Sequence, residues 1–233
     1  MHTWIELSRQ SLVSNFRSFS QLCGQSIVAP VLKSNAYGHG LEQVYKGLSS
    51  CELKWVCVNY VQEASLLRKL GHKGQILVVG PVLPEDLSLA HDLETQITVG
   101  NYPLLEAWLQ NPKKAKIHLK LETGLNRQGF QLQELVGLAK SVSQQKQLVV
   151  GVSSHFANVE DMTNYHYAHQ QIESFHQGKK ILENLGFSLL SHICSSASSI
   201  LLPDSHFDMS RVGISLYGFW PSKLTELSYL NQN

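Results

Sequence analysis

Short apolar runs alternate along the chain with longer segments in which apolar residues recur at helical spacing. An amphipathic segment at residues 8–23 comes first, with Leu12, Phe16 and Phe19 on one face. Continuous apolar runs predict strands that are buried on both faces, as in a parallel sheet. Eight runs fit that description: SIVAPVLK (26–33), KWVCVNY (54–60), QILVVG (75–80), QITVG (96–100), KIHLKLE (116–122), QLVVGVSSHF (147–156), LLSHICS (189–195) and the run around VGISLYG (212–218).

Helix-like segments separate these runs, and many of them end at Gly or Pro. The clearest are residues 61–70, 102–110, 131–140 and 167–185. Strands that alternate with helices predict a parallel sheet covered by helices, and eight such units favour a closed barrel. The length of 233 residues is close to the typical length of about 250 for that barrel. We therefore predict an α/β protein with a (β/α)8 TIM-type barrel that is either complete or incomplete at its C-terminal end.

The domain organisation follows from the absence of a linker or repeat before residue 220. We expect residues 1–220 to form one barrel and residues 221–233 to be a short polar tail. The outer helix after strand eight should then be shortened or absent, and the chain looks cut at this end.

Composition narrows the function classes. The formal net charge is +1 and no Lys/Arg run occurs, so we expect neither a nucleic acid nor an anionic membrane as partner. No signal peptide or 18-residue apolar run is evident, and the four cysteines match neither a zinc site nor a disulfide framework. These features predict a cytoplasmic protein with reduced thiols, no metal and a small-molecule ligand.

Polar residues end several of the predicted strands, where barrel enzymes place their active sites. Lys33 ends strand one, and a partly desolvated lysine with a lowered pKa is suited to forming a Schiff base. Taken alone, a surface lysine at a strand end explains it better. The other polar residues at strand ends are Lys120 and Arg127 after strand five, His155 after strand six, Ser195 and Ser196 after strand seven, and Arg211 and Gly213 around strand eight.

The loops after strands seven and eight often bind phosphate in such barrels. Here they contain CSSAS (194–198) and RVGIS (211–215). Ser196 offers a hydroxyl and an N–H, and Gly213 allows close approach of the backbone. A helix cap explains the serine cluster equally well.

Four segments together resemble the alanine racemase family of pyridoxal-phosphate (PLP) enzymes. They are VLKSNAYGHG (31–40), LKLETGLNRQGF (119–130), SSHF (153–156) and SRVGISLYG (210–218). They occur in the family's order and at plausible spacing, and the resemblance extends over essentially the whole chain. It implies that the chain is the family's N-terminal barrel without its β-rich second domain.

The resemblance implies a role for each matching residue. Lys33 would bind PLP and act as the base on one face of the substrate α-carbon. Tyr37, Ser196, Gly213 and Ile214 would bind the cofactor, chiefly at its phosphate. By the same resemblance Arg211 would face the pyridine nitrogen, where a guanidinium that stays protonated would disfavour a proton; a surface arginine paired with Asp208 is its alternative.

Three further positions carry implied roles. His155 would orient Arg211, or would be an ordinary core histidine. Arg127 would contact the substrate carboxylate, since a planar fork of donors matches that group, and Lys120 matches a position that is often carbamylated. Ser195 replaces the family's usual asparagine, so we do not expect it to contact the cofactor.

The resemblance thus predicts a racemase that interconverts L- and D-alanine for peptidoglycan, as a homodimer when full-length. Racemisation needs an acid/base on each face, and the family's second one is a tyrosine of the missing domain. We therefore expect PLP binding with weak or absent racemase activity. A non-catalytic single-domain PLP-homeostasis protein is the alternative, although YGHG and Arg127 favour the racemase. A metal-dependent barrel hydrolase lacks an HxH or HExxH pair.

Overall fold

Eight parallel strands form the centre of the computed structural model, which describes residues 4–160 and 164–232. Each is buried along most of its length, and the first three and the sixth consist mainly of apolar residues. Their bounds are β1 Ile27–Pro30, β2 Trp55–Val58, β3 Gln75–Val78, β4 Gln96–Val99, β5 Ile117–Lys120, β6 Val149–Ser153, β7 Leu190–His192 and β8 Met209–Val212.

The strands pair in chain order, and two junctions close the ring. A continuous ladder joins β2 through β7, and β8 pairs with β1. At one junction Val31 bridges to Cys57, and the N–H of Leu32 donates to the Cys57 carbonyl at 2.8 Å. At the other, the N–H of Arg211 donates to the Cys194 carbonyl at 3.2 Å. The predicted (β/α)8 TIM-type barrel is therefore confirmed.

Helices cover the outside of the barrel, and each of the predicted helical segments contains or overlaps one of them. Helix α6 has the predicted bounds, and its N-cap Asn101 accepts a hydrogen bond from the N–H of Leu104. The α-helices are α1 Arg9–Leu22, α3 Leu41–Gly47, α4 Val61–Lys69, α5 Leu87–Asp92, α6 Tyr102–Gln110, α7 Leu135–Ser141, α8 His166–Asn184, α9 Ser196–Leu201 and α10 Lys223–Gln232; α2 (Lys33–Tyr37) is a single turn considered below.

Two predictions about the C-terminal part were wrong. Strand β8 ends at Val212, and Ile214–Tyr217 form a 3-10 turn, so most of the run at 212–218 is not strand. A helix also follows strand eight: α10 extends over ten residues. Ser222 starts it by accepting a hydrogen bond from the N–H of Thr225, a capping signal that the polar composition of the tail hid.

Apolar side chains fill two separate volumes. The larger core lies between strands and helices, where Trp108 and Phe175 are fully buried. The barrel interior is apolar only on one side, where a second cluster contains Ala29, Val31, Trp55, Cys57, Leu77 and Met209. Strands β4, β5 and β7 instead contribute buried polar residues: Gln96, Thr98, His118, Lys120 and His192. This polar half underlies the site.

Two absences hold for the part of the chain that the structure describes. No helix there combines the length and the apolarity needed to cross a membrane. No three His, Cys, Asp or Glu residues there form a group that could hold a metal ion.

Candidate active site

A cavity of about 570 Å³ opens at the carboxyl ends of the strands. Parallel strands bring their carboxyl ends to the same mouth of a barrel, so residues far apart in the chain meet there. All nine predicted site residues line this cavity: Lys33, Tyr37, Lys120, Arg127, His155, Ser196, Arg211, Gly213 and Ile214. The structure thus brings together every position that the sequence singled out.

The turn that follows β1 is left-handed. Ser34, Asn35, Ala36 and Tyr37 all have φ between 53° and 55°. None of them is glycine, and left-handed backbone costs roughly 1–2 kcal/mol for each such residue. Such strain persists only where the surroundings impose it, and it is concentrated at functional sites. Lys33 starts this turn, so its orientation in the cavity depends on it.

The Glu63 carboxylate is one group that holds the turn in place. It accepts a hydrogen bond from the N–H of Asn35 at 2.8 Å and another from the N–H of Asn59, which follows β2, at 2.7 Å. The Asn35 side chain in turn accepts from the N–H of Leu41 at 2.8 Å, where α3 begins. Glu63 therefore ties the turn to the neighbouring strand end.

The segments 31–40 and 210–218 pack directly against each other. The rings of Tyr37 and Tyr217 lie 5.3 Å apart, and His39 stacks on Tyr217 at 4.7 Å with only 15° between the planes. The Tyr217 hydroxyl donates to the Val31 carbonyl at 2.9 Å. A Cβ at position 213 would overlap the Tyr37 hydroxyl, so Gly213 admits this side chain. Sequence reasoning missed Tyr217, although it lies within a matched motif.

Ser195 and Ser196 have different surroundings. Ser195 precedes α9, and its N–H donates to the Ser198 hydroxyl at 2.8 Å, so the helix-cap interpretation applies to it. The Ser196 hydroxyl instead accepts from the N–H of Gly213 at 2.9 Å, across the gap between the loops. The N–H of Ser215 also lies 3.5 Å from Ser196 Oγ, whereas its buried hydroxyl, which has no hydrogen-bond partner among the described residues, belongs to a separate pocket lined by Phe19 and Ile200. Hydroxyl and N–H groups from two loops therefore converge beside the Tyr37 hydroxyl.

Arg211 is fixed by main-chain carbonyls. It donates to the carbonyls of Ser154 at 2.9 Å, His192 at 3.0 Å and Ile193 at 3.2 Å. It also contacts Nδ1 of His192, whereas Nδ1 of His155 lies 3.4 Å away. The predicted neighbour His155 is thus present, but His192 is the closer one.

The sequence also offered Asp208 as a surface partner of Arg211. Asp208 accepts from the N–H of Ser191 at 2.7 Å and makes no salt bridge with Arg211, so the surface-pair alternative was wrong. Sequence reasoning missed His192, which lies inside the predicted seventh strand. The available signal was an ionisable residue within an otherwise buried strand, but the apolar pattern alone does not show which residues such a side chain contacts.

The cavity carries excess positive charge. Burial lowers the pKa of Lys120 to about 8, and the nearby charges of Arg127 and Arg211 act in the same direction. The pKa of Lys33 is lowered first by burial and then by the same two arginines. Within the described ranges, none of these four side chains forms a salt bridge. A cavity of this kind is suited to anionic ligands and to an amine that loses its proton readily.

Arg127 differs from the other three because it is exposed. It lies in the loop after β5, at the mouth of the cavity, where Asn126 adopts a φ of 56°. No hydrogen bond joins its guanidinium to another residue within 4–160 and 164–232. Its planar fork of donors is therefore available to a ligand carboxylate.

The fold and the cavity define a (β/α)8 barrel protein with a lysine and three further cations at the carboxyl ends of its strands. The family model described as alanine racemase, N-terminal domain, matches residues 7–221. The chain belongs to this family, which confirms the resemblance drawn from the four segments.

Relatives and solved structures agree with this assignment. The chain is 35% identical over 233 residues to an alanine racemase of Leptospira interrogans, covering 97% of this chain and 59% of that protein. It is 34% identical to alanine racemase 1 of Oceanobacillus iheyensis, covering 98% and 63%. The crystal structure of Bacillus anthracis alanine racemase with bound L-Ala-P matches with a TM-score of 0.87 and 26% identity, covering 95% of this chain and 59% of that one. This chain spans about 60% of the length of these relatives.

Proposed function

We propose that this chain is the cofactor-binding barrel of a PLP-dependent alanine racemase, which interconverts L- and D-alanine and supplies the D form for peptidoglycan. The observation that carries the proposal is the position of Lys33, whose pKa is lowered by burial and whose cavity also holds the convergent Ser196, Gly213 and Tyr37 groups. Family membership supports it, since the named relatives are alanine racemases.

The residues present fit PLP in three respects. The Ser196 hydroxyl, the backbone of Gly213 and Ile214, and the Tyr37 hydroxyl would bind its phosphate. Lys33 would bind the aldehyde carbon, and Arg211 would face the ring nitrogen from the base of the cavity.

PLP, when bound, supplies an electron sink that acidifies the α-proton of an amino acid. The chain's own residues determine how that acidity is used. Lys33 takes or returns the α-proton on one face of the substrate, since its amine is neutral at lower pH than an ordinary lysine. Arg211 would place a positive charge beside the ring nitrogen and, as a permanent donor, would disfavour a proton there. This restrains side reactions and suits reversible proton transfer.

Arg127 and Lys120 would act together on the carboxylate side. We propose that Arg127 binds the substrate carboxylate through its exposed fork. The neutral amine of Lys120 can add to CO2 and lose one proton, giving a carbamate whose negative charge would pair with Arg127. The lowered pKa of Lys120, about 8, provides the neutral amine that this addition needs.

The second face of the substrate needs another acid/base. The family resemblance implies a tyrosine from the second domain of a partner subunit. We therefore propose that the full-length protein is a cytoplasmic homodimer and that these 233 residues supply one of the two bases. Alanine is the proposed substrate.

Reductive labelling tests this proposal. The purified chain is incubated with PLP, reduced with borohydride, digested and analysed by mass spectrometry. We expect a single pyridoxyl adduct on Lys33, lost in Lys33→Ala and retained in Lys140→Ala, which removes an exposed helical lysine. An adduct spread over surface lysines, or unchanged labelling in Lys33→Ala, would overturn the assignment of the cofactor lysine.

A further inference from the structure

A line of polar side chains crosses the barrel interior beneath the cavity. It begins where Arg211 contacts Nδ1 of His192. Nε2 of His192 lies 2.8 Å from Nδ1 of His118, and Nε2 of His118 lies 2.7 Å from Oε1 of Gln96. The amide of Gln96 then donates to Oε1 of Gln75 at 2.7 Å. The five side chains come from β8, β7, β5, β4 and β3.

The line connects the two ends of the barrel. Arg211 lines the cavity at the carboxyl ends of the strands. Gln75 is the first residue of β3 and is exposed, so it lies at the opposite, amino-terminal end. Between them His192, His118 and Gln96 are at most 5% exposed. Buried polar groups must find partners within the protein, and these side chains find them in one another.

The direction of every hydrogen bond in the line follows from Arg211. A guanidinium has only donors, so Nδ1 of His192 must be unprotonated to accept. The proton of neutral His192 is then on Nε2, which donates to Nδ1 of His118. His118 must in turn carry its proton on Nε2, which donates to the carbonyl of Gln96. A single permanent donor at the cavity thus fixes both histidine tautomers.

Charge reinforces this arrangement. A second ring proton on His192 would place an N–H against the guanidinium, with no acceptor between them. Burial lowers the pKa of His118 to about 3, and burial together with the Arg211 charge lowers the pKa of His192 well below its usual value. Both rings are therefore neutral at ordinary pH, and the line keeps its direction.

The central ring is held in place by packing. A Cβ at position 151 would overlap the His118 ring, so this glycine of β6 lets the imidazole lie directly against the strand. On another side the Trp55 ring meets it edge-on, with centroids 5.9 Å apart and planes at 74°. The position of His118, and with it the acceptor for His192, is therefore set by the barrel wall.

We propose that His118, Gln96 and Gln75 are positioning residues: they form a one-way hydrogen-bond line that accepts the Nε2 proton of His192, holds its ring in place and thereby aims Arg211 into the cavity. The role of Arg211 toward a cofactor rests on the proposed function. The hydrogen-bond line itself does not depend on that function. The line is also not a proton path, because no member can reverse its donor and acceptor roles while Arg211 remains a donor.

NMR of the histidine ring nitrogens tests the hydrogen-bond line and requires no measurement of enzymatic activity. In the chain labelled with ¹⁵N at histidine, two-bond couplings distinguish the ring nitrogen that carries the proton. We expect His192 and His118 each to be a single Nε2–H tautomer across neutral pH. A protonated Nδ1 on either ring, or a doubly protonated ring, would overturn the proposal.

Variants show whether the line acts on Arg211. His118→Phe removes the acceptor of the His192 Nε2 proton, so the ¹H and ¹⁵N signals of that N–H should move and the absorption band of bound PLP should shift. His118→Gln keeps a donor and an acceptor and should restore both signals toward wild type. His72→Phe removes a buried imidazole outside the line and should change neither. An unchanged PLP band in His118→Phe would refute the positioning role.

The two proposals fail separately. If Lys33 takes up no PLP while both tautomers are as stated, the proposed function is wrong and the hydrogen-bond line stands. If Lys33 is labelled but His192 carries its proton on Nδ1, the cofactor assignment stands and the line is wrong. Should His118→Phe not fold, the tautomers of the unmodified chain and the His118→Gln variant still decide the matter.

Discussion

The hydroxyl of Tyr37 occupies the space that a side chain at Gly213 would fill. Tyr37 ends the left-handed turn after β1, and Gly213 follows β8, so this contact joins the first and the last strand of the barrel. Beside it the N–H of Gly213 donates to Ser196 Oγ, which brings in the loop after β7. Three loops thus meet at one point, and the proposed phosphate position depends on their fit.

Gly213→Ala tests that fit. The added methyl group must displace the Tyr37 hydroxyl, and overpacking of this kind costs typically about 1–3 kcal/mol. If this free-energy cost weakens cofactor binding, the Kd for PLP should rise by roughly ten- to a hundredfold. Equilibrium titration of PLP absorbance measures it. Gly137→Ala, at an open position on α7, is the matched control and should leave the Kd unchanged; equal PLP affinity in both variants would contradict the phosphate assignment.

Removal of Glu63 tests what holds the left-handed turn. Glu63→Ala leaves the N–H groups of Asn35 and Asn59 without their charged acceptor, at a cost of about 1–3 kcal/mol. Urea denaturation should show that loss of stability, and hydrogen exchange should be faster in the α2 turn than in distant strands. Lys69→Ala, an exposed change on the same helix, serves as the control. Unaltered exchange in the turn would show that other contacts suffice.

Lys120 gives a prediction about pH. Its pKa is lowered from 10.5 to about 8, so between these values the unfolded chain binds more protons than the folded one. The free energy of unfolding should therefore rise with pH in this range, by an amount of order 1–3 kcal/mol due to this group. Lys120→Met should be the more stable at neutral pH in CO2-free buffer, with the difference shrinking toward pH 10.5. A constant difference across that range would contradict the lowered pKa.

Bicarbonate separates the unmodified from the carbamylated side chain. Adding bicarbonate to the wild-type chain should stabilise it and weaken the pH dependence, because a carbamate replaces a buried cation next to Arg127. Lys120→Met should not respond. Intact mass spectrometry under non-acidic conditions should show a gain of one CO2 in the wild-type chain only.

Most strands and helices of the barrel could be predicted from the sequence, because strands that are buried on both faces tend to be continuous apolar runs. Helix α6 was placed at its observed bounds, since its N-cap, Pro103 and apolar spacing all agree. The eighth strand was placed too late because Ile214, Leu216 and Tyr217 form an apolar run that is in fact a 3-10 turn. Apolar content alone does not distinguish these two backbones.

Other features of the site lie beyond a single sequence. Nothing local in Ser34–Tyr37 demands left-handed backbone, and one group that holds it, Glu63, comes from another helix. The pairing of His118 with His192 joins positions separated by 74 residues and depends on barrel register. Residues at strand ends are predictable because barrel geometry brings the strand ends together, whereas the partners of an interior polar residue such as His118 depend on which strands face it.

Exchange of the alanine α-proton in D2O tests the central claim most directly. The PLP-loaded chain is incubated separately with L-alanine and with D-alanine, and loss of the α-proton signal is followed by NMR, with Lys33→Ala as control. If Lys33 is a base on one face only, one enantiomer should exchange with retention of configuration, the other should exchange far more slowly, and Lys33→Ala should abolish exchange. Equal exchange of both enantiomers with racemisation, or no exchange by the loaded chain, would contradict the account.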